Sequence, residues 1–220
     1  MFQSNKPKLE SCSNRIEGHP PLIATLTLGC KLNQAESQGI ARKLKSAGCE
    51  VIDRPVPADA YLINTCTITS TADRKARRLI RMVKRLSPKA PVIVTGCYAD
   101  WAKKQIIHET GADIVLNNRA KDSAPISILN ALREVKPREK RNISDQSLSR
   151  IGGRTRAFLK IQEGCNDVCA FCIVPHVRGR EEARTIQSIV REAQEYEADG
   201  VLEIVLTGTQ PGAYGRDRSD

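Results

Sequence analysis

The chain has 220 residues, of which 40% are hydrophobic and 4% aromatic, and it carries a formal net charge of +10 with a pI of about 9.4. No stretch approaches the roughly 20 apolar residues of a membrane-spanning helix, and residues 1–15 lack the apolar run of a secretory signal. We therefore expect a cytoplasmic protein rather than a membrane-embedded or secreted one. The basic excess favours a polyanionic partner such as nucleic acid over a merely basic surface.

Strands and helices alternate after a polar lead-in, residues 1–20. Runs rich in β-branched and apolar residues predict strands, and amphipathic runs that end at Gly or Pro predict helices. The predicted elements are strand 21–29, helix 33–48, strand 58–65, helix 69–88, strand 90–96, helix 99–111, strand 112–117 and helix 123–135. Asn33 and Glu36 form a capping-box pattern at the first helix. The alternation predicts an α/β fold with a parallel sheet flanked by helices, as in Rossmann-like and flavodoxin-like domains.

A change of composition separates this first domain, residues 21–135, from a second one, residues 157–220. Residues 136–156 are polar and charged and contain Gly152-Gly153, which predicts a linker. After the linker, the predicted elements are strand 156–162, a cysteine-rich loop, helix 183–200 and strand 201–208. This order is typical of the opening βαβ unit of a second α/β domain.

Three of the eight cysteines follow predicted strands of the first domain at equivalent positions. Cys30, Cys66 and Cys97 come directly after the strands that end in LTLG, LINT and VIVTG. Carboxyl ends of parallel strands share one edge of a sheet, where ligands bind, so we expect these thiols to converge. The alternative is that they are ordinary buried cysteines, which is our interpretation of Cys12 and Cys49. In a cytoplasmic protein, clustered cysteines indicate metal or catalytic chemistry rather than disulfides.

A second set, Cys165, Cys169 and Cys172, has the spacing C-x3-C-x2-C in the loop GCNDVCAFC. Structural zinc requires four ligands, usually in two pairs, and His176 is the available fourth ligand here. Bacterial ferredoxins have the run C-x2-C-x2-C-x3-C-P, which differs in spacing and in number. A four-iron cluster held by three thiolates is the third alternative. It leaves one iron open for a ligand, which by analogy with zinc distinguishes catalytic from structural sites.

The spacing C-x3-C-x2-C, with Phe171 before the last cysteine, resembles the signature of the radical SAM superfamily. The resemblance implies a 4Fe-4S cluster on Cys165, Cys169 and Cys172 whose open iron binds S-adenosylmethionine. It also implies a (βα) barrel that begins with the preceding strand. Reductive cleavage of S-adenosylmethionine to a 5′-deoxyadenosyl radical is then the expected chemistry. An electron donor such as flavodoxin or ferredoxin is implied as a partner.

Four stretches, TLGCKLNQAES, INTCTITSTADRKAR, VTGCY and EGCNDVCAFCIVPHVRGRE, together resemble the methylthiotransferases. In that family the N-terminal domain binds a second 4Fe-4S cluster, which the resemblance places on Cys30, Cys66 and Cys97. The resemblance also implies that this first-domain cluster holds or donates sulfur. One S-adenosylmethionine would supply the methyl group and another the radical, because the C2–H bond of adenine is not activated by an acid or a base.

Within the family, TLGCKLNQ is most similar to the branch that modifies N6-threonylcarbamoyladenosine at tRNA position 37. Lys31, Leu32 and Asn33 follow the first cysteine, where the isopentenyladenosine branch usually has Gln-Met-Asn and the ribosomal-protein branch Pro-Lys-Asn. The resemblance implies the tRNA anticodon stem-loop as partner, and the isopentenyladenosine branch is the alternative. Because only the first units of the barrel are present, we expect a C-terminally truncated chain. A non-catalytic iron–sulfur or zinc RNA-binding module is then a further alternative.

The resemblance also implies residues near S-adenosylmethionine. They are Phe171, Arg178, Arg180, Glu181, Thr207 and Gly208. Ala183-Arg184 stands where the family usually has Ser-Arg. We expect no catalytic side-chain acid or base, because no motif contains a Ser-His-Asp set or paired carboxylates. His19 and His108 are interpreted as surface or packing residues.

The helix predicted at 69–88 has one strongly basic face. At 100° per residue one stripe contains Arg74, Arg77, Arg78, Arg81 and Arg85. After Asp73 this face has no acidic residue at i±4, so ion pairs within the helix do not account for it. A solvated charged face is the alternative to our hypothesis that these arginines contact tRNA phosphates.

Overall fold

The computed structural model of the protein describes residues 19–135 and 155–218. Within these ranges the strands are β1 (Leu22–Thr27), β2 (Glu50–Ile52), β3 (Ala60–Thr65), β4 (Val92–Gly96), β5 (Ile114–Val115), β6 (Arg156–Glu163), β7 (Glu182–Ala183) and β8 (Glu203–Gly208). The α-helices are α1 (Lys31–Ser46), α2 (Ser70–Leu86), α3 (Cys97–Trp101), α4 (Lys103–Thr110), α5 (Ala124–Glu134), α6 (Val174–Arg178) and α7 (Ile186–Ala198). None of these helices is both long and apolar enough to cross a membrane. Most of the predicted lead-in and linker lies outside the described residues.

The first module, residues 19–135, contains a five-stranded sheet in the order β2-β1-β3-β4-β5, with every pair parallel. Both faces are covered, because Tyr61 and Ile63 point into a core formed with α2, α3 and α4, and Leu62 points into one formed with α1 and α5. Such two-sided burial is typical of parallel sheets. The predicted α/β fold is confirmed.

The second module, residues 155–218, contains a three-stranded sheet in the order β7-β6-β8. Strand β6 is parallel to β8 and antiparallel to the short β7. Leu159 and Ile161 of β6 are buried in a small core with Tyr196 of α7. The β6–α7–β8 unit is the parallel crossover expected at the opening of a (βα) barrel.

Two local predictions are wrong. The predicted helix 99–111 is two helices, because Ala102 leaves the helical region with φ −134° and ψ 39°.

The predicted capping box at the start of α1 does not form either. The N-cap residue of α1 is Cys30, and Asn33 and Glu36 lie inside the helix and are buried. Their polar groups contact other parts of the chain instead of the backbone at the helix start.

Helix α1 also joins the two modules. The backbone N–H of Phe158 on β6 donates to Gln38 Oε1 at 3.0 Å. At the other end of the contact, Arg42 forms ion pairs with Glu195 at 2.9 Å and Asp199 at 3.3 Å, and its guanidinium lies 4.5 Å from the centre of the Tyr196 ring. Helix α1 therefore contacts both β6 and α7 of the second module.

Candidate functional site

The cysteines of the first module lie at one edge of the sheet. Cys30 follows β1, Cys66 follows β3 and Cys97 follows β4, and these three strands are adjacent and parallel. The loops after β1 and β3 touch, since a Cβ on Gly29 would lie 2.8 Å from Cys66 Cβ. Cys66 and Cys97 are buried, whereas Cys30 is exposed and its thiol donates to Asn33 Oδ1 at 3.1 Å.

A glycine positions Cys97 against the neighbouring strand. Gly96 has φ +98°, and a Cβ there would overlap the carbonyl oxygen of Thr65. Only glycine adopts this backbone conformation at so close an approach without strain. The β4 chain therefore turns directly over the end of β3, and this turn brings Cys97 next to Cys66.

The Cys97 thiol lies in a buried and positively charged environment. Burial raises the pKa of this thiol, because the thiolate is less well solvated there. The charges of Arg178 and Lys121, and a hydrogen bond from Arg178, act in the opposite direction. Arg178 belongs to the second module, so the environment of Cys97 is shared between both modules.

The second set of cysteines lies in the loop between β6 and α6. Gly164 starts this loop with φ +73°, and a Cβ there would overlap the Arg180 carbonyl oxygen. The backbone N–H of Cys165 donates to Gly179 O at 3.2 Å, and its thiol donates to Gln210 Oε1 at 3.2 Å. These contacts close the loop on itself.

The rest of the loop faces solvent. Cys169 is exposed, and the neighbouring side chains Val168 and Phe171 are 99% and 94% exposed. The backbone N–H of Cys172 donates to Cys169 O at 3.1 Å, which forms a turn between the last two cysteines. The loop therefore exposes Cys169 to solvent, whereas Cys165 and Cys172 are half-buried.

The donor chemistry of both sets fits iron–sulfur or zinc binding. All seven cysteines within the described ranges are free, and thiolates are the soft ligands that these centres use. In the same ranges no three His, Cys, Asp or Glu side chains lie close enough to hold a metal ion, and His176 is exposed. The residues thus fit by type and backbone position, and their role as ligands remains a prediction.

Five charged side chains meet between the two cysteine sets, and we call them the buried charge cluster. They are Glu36, Lys121, Lys160, Glu163 and Arg178. Lys121 Nζ lies 2.6 Å from Glu36 Oε2, and Arg178 Nη1 lies 2.9 Å from Glu36 Oε1 and 2.8 Å from Glu163 Oε1. Lys160 Nζ lies 2.7 Å from Glu163 Oε2. Glu36 and Lys121 come from the first module and the other three from the second.

Burial makes these charges interdependent. Burial by itself would raise the pKa of Glu36, but Lys121, Arg178 and Lys160 lower it to about 2. Burial lowers the pKa of Lys121, the Glu36 carboxylate opposes this, and Arg178 adds to it. Burial by itself would lower the pKa of Arg178, but Glu36, Cys97 and Glu163 together outweigh this effect and raise it. The charge state of each buried group therefore depends on its partners, and removing one partner would leave the others buried without compensation.

Two asparagines connect the cluster to the first cysteine site. Asn33 Nδ2 donates to Asn64 Oδ1 at 2.9 Å and to Thr65 O at 3.1 Å. Asn33 Oδ1 accepts from Arg178 Nη2 at 3.3 Å and from the Cys30 thiol. Sequence analysis did not assign Asn33 and Glu36 this role. The signal was present, because both lie on the face of α1 that carries most of its apolar residues.

The residues predicted near S-adenosylmethionine have different surroundings, and their role stays a prediction. Arg178 lies in the buried charge cluster, whereas Arg180 is exposed. The backbone N–H of Glu181 donates to Asn166 Oδ1 at 3.1 Å. Thr207 is buried in β8, and a Cβ on the adjacent Gly208 would lie 3.0 Å from Gln162 O.

The arginine face of α2 is partly neutralised by a neighbouring helix. Arg77 donates to the Tyr98 hydroxyl at 2.7 Å and lies 3.5 Å from Glu109 Oε2. Arg81 donates to Glu109 O at 3.1 Å. The within-helix pattern could not show this partner, because Glu109 belongs to α4. The other arginines of the stripe, Arg74, Arg78 and Arg85, are exposed.

Known sequences match both modules. Residues 23–117 match the family UPF0004, described as an uncharacterized protein family, and residues 159–218 match the Radical SAM superfamily. The chain is 38% identical over 206 residues to the threonylcarbamoyladenosine tRNA methylthiotransferase MtaB of Bacillus subtilis, covering 90% of this chain and 46% of that protein. It is 36% identical over 207 residues to MtaB of Aquifex aeolicus, covering 89% and 50%.

The chain is also similar to a relative that is named for a different modified nucleoside. The tRNA-2-methylthio-N(6)-dimethylallyladenosine synthase of Pelagibacter ubique is 34% identical over 202 residues, covering 87% of this chain and 45% of that protein. The chain spans about half the length of the curated relatives it matches.

A solved structure has a similar fold. The radical S-adenosylmethionine methyltransferase TsrM of Kitasatospora setae, with cobalamin and a 4Fe-4S cluster bound, superposes with a TM-score of 0.54 at 14% identity. The match covers 86% of this chain and 49% of that chain. The likeness agrees with an α/β module followed by the start of a radical SAM domain.

Proposed function

We propose that this chain is a radical SAM methylthiotransferase that acts in methylthiolation of C2 of N6-threonylcarbamoyladenosine at position 37 of tRNA. Its first module matches UPF0004, its second matches the Radical SAM superfamily, and the chain is 38% identical to a methylthiotransferase of that name. The observation that carries the proposal is the pairing of two cysteine sets on two modules that share a buried interface. A reaction that needs both a radical source and a sulfur source requires two such sites close together.

The loop of the second module is the proposed site of the radical chemistry. Cys165, Cys169 and Cys172 would hold a 4Fe-4S cluster, and this cluster would supply the electron that cleaves S-adenosylmethionine. The chain's own contribution is to hold the loop closed at Gly164 and to leave its outer face open, as the exposed Phe171 indicates. Flavodoxin or ferredoxin is the proposed electron donor.

The edge of the first sheet is the proposed sulfur-handling site. Cys30, Cys66 and Cys97 would hold the second 4Fe-4S cluster, at the strand ends where ligands of α/β sheets bind. Two of these thiols are buried, so the site excludes water on the side of the sheet. The third, Cys30, faces outward and gives access from solvent.

Two observations favour the threonylcarbamoyladenosine branch as substrate. The relatives of 38% and 36% identity have that nucleoside in their names, and the relative named for dimethylallyladenosine is 34% identical. Lys31 and Leu32 also differ from the Gln-Met that the other branch usually has after the first cysteine. The same proposal places the protein in the cytoplasm, with the tRNA anticodon stem-loop as partner.

The exposed arginines of α2 support a contact with RNA. Arg74, Arg78 and Arg85 remain exposed on a helix that begins four residues after Cys66. The logarithm of the RNA association constant falls linearly with the logarithm of the salt concentration. Each phosphate contact that is lost should make this dependence less steep by about one unit. We expect this reduction for Arg78→Gln and not for Arg156→Gln, which removes an exposed arginine of the second module.

One set of measurements tests the proposal. The chain is reconstituted with iron and sulfide without oxygen, then assayed for iron, sulfide, zinc and cleavage of S-adenosylmethionine. Two 4Fe-4S clusters and 5′-deoxyadenosine as product are expected, and zinc alone or absence of cleavage would contradict catalysis by this chain. Nucleoside analysis of a strain without the gene decides the substrate. The methylthio group should be lost from threonylcarbamoyladenosine and kept on isopentenyladenosine.

A further inference from the structure

Arg178 belongs to the second module, but its contacts reach the cysteine site of the first. It ends α6, six residues after Cys172, and only 4% of its side chain is exposed. Its guanidinium donates to Asn33 Oδ1 at 3.3 Å, and Asn33 Oδ1 also accepts from the Cys30 thiol. Its charge also acts on the Cys97 thiol, where it opposes the rise in pKa that burial causes. One side chain therefore reaches the Cys30 thiol through Asn33 and acts on the Cys97 thiol through its charge.

The charge of Arg178 is fixed in this position. Glu36 and Glu163 hold the Nη1 atom from two sides, at 2.9 and 2.8 Å. Both carboxylates are themselves held, Glu36 by Lys121 at 2.6 Å and Glu163 by Lys160 at 2.7 Å. Because the guanidinium is buried, water screens its field weakly. The two carboxylates oppose this field, but each is also paired with a lysine, so the five groups together carry three cationic and two acidic side chains.

We propose that Arg178 is a positioning residue for the first cysteine site, where its fixed charge and hydrogen bonds raise the reduction potential of the 4Fe-4S cluster bound by Cys30, Cys66 and Cys97. This inference rests on the proposed function, which assigns a cluster to these thiols. Reduction adds negative charge to a cluster, so a buried cation next to its ligands stabilises the reduced form. Hydrogen bonds to the sulfur atoms act in the same direction.

The contacts assign this role to Arg178 and not to its neighbours. Lys121 and Lys160 contact carboxylates of the buried charge cluster. Lys121 also acts on Cys97 through its charge, but no contact of either lysine with Asn33 is present within the described ranges. Arg180 is exposed. Arg42 resembles Arg178 most, since it also comes from one module and pairs with carboxylates of the other, but it does so at the far end of α1. Arg42 therefore serves as the matched control.

The test measures a potential, which a purely structural role would not move. The starting protein is the full chain with Cys165, Cys169 and Cys172 replaced by alanine, reconstituted with iron and sulfide. The midpoint potential of its remaining cluster is determined by redox titration with EPR detection. We expect Arg178→Gln to bind the same iron per chain with a midpoint potential shifted to a more negative value. Arg42→Gln should leave the potential unchanged.

A second variant keeps the test decisive if the glutamine variant loses iron. Arg178→Lys keeps the charge but loses the planar set of donors, so its potential should lie below that of the starting protein by a smaller shift. Equal potentials in the starting protein and the Arg178 variants, or an equal shift for Arg42→Gln, overturn the inference alone. If the starting protein binds no iron, the proposed function itself fails, and the inference fails with it.

Discussion

The two cysteine sites are built in opposite ways. Cys30, Cys66 and Cys97 come from three strand ends, and two of them are buried. Cys165 and Cys169 lie in one loop, and the loop's side chains at Val168 and Phe171 are almost fully exposed. The first site therefore depends on the whole parallel sheet, whereas the second depends on a local turn. Loss of global stability should abolish the first site before it affects the second loop.

The largest effect is expected from the glycine that ties the first site to the sheet. Gly96→Ala would place a Cβ against Thr65 O in a backbone region that alanine avoids. Backbone strain and overpacking each cost about 1–3 kcal/mol, so we expect a loss of about 4 kcal/mol in the free energy of unfolding. Urea unfolding measures it. The control is Gly39→Ala within α1, where no atom lies within 4 Å of the new Cβ, and which should change stability by less than about 1 kcal/mol.

A smaller loss should follow when the connection between the two sites is cut. Glu36→Gln leaves Lys121 and Arg178 buried without their shared carboxylate, and removing one partner of a buried pair costs about 3 kcal/mol. The same unfolding assay measures this loss. Arg42→Gln removes a more exposed ion pair between the modules and should cost about 1 kcal/mol or less. Equal losses in the two variants would contradict the special status of the buried charge cluster.

Acid should weaken the same connection in a defined range. The pKa of Glu36 is about 2 in the folded chain against an ordinary 4.5, so its stabilisation is complete above 4.5 and is lost as the pH falls toward 2. At pH 3 the loss from this group is about 2 kcal/mol. The measurement is the stability difference between the wild type and Glu36→Gln, which should shrink by that amount from pH 7 to pH 3. A constant difference would contradict the depressed pKa.

The smallest effect on stability is expected at the second site. Gly164→Ala would push a Cβ against Arg180 O, but the surrounding loop is partly exposed and can shift. Because backbone strain at a positive φ costs about 1–3 kcal/mol, we expect a loss of about 1–2 kcal/mol in unfolding free energy, with the iron content of the second site reduced and that of the first unchanged. Iron assays on the chain with either set of cysteines replaced by alanine separate the two contributions. A loss from the first site instead would remove the contrast between the two sites.

Much of the fold follows from local patterns. Continuous apolar runs such as those around Leu62 and Ile93 predict buried parallel strands, and the structure has them. Strand β2 escaped prediction because Glu50–Ile52 has only three residues. The helix break at Ala102 also escaped, since an alanine without Gly or Pro nearby gives no local signal.

The contacts of the candidate site were less predictable. The positions of Cys30, Cys66 and Cys97 at strand ends were predicted from the sequence. This prediction needs only the alternation of strands and helices. The partners of Glu36 could not be read in this way, because Lys121 and Arg178 are far from it in sequence and the pairing depends on how the modules pack. A local rule assigned Glu36 to a helix cap, and long-range ion pairing took precedence.

Helix α6 limits which first modules can be joined to this second module in a hybrid protein. Gly179 O, at its end, accepts from the backbone of Cys165, and the adjacent Arg178 forms ion pairs with Glu36. A hybrid that joins this second module to an N-terminal half lacking a carboxylate at position 36 would bury Arg178 with Glu163 as its only acidic partner in the buried charge cluster. The two modules should therefore be exchangeable between related proteins only when both proteins have the Glu36–Arg178 ion pair.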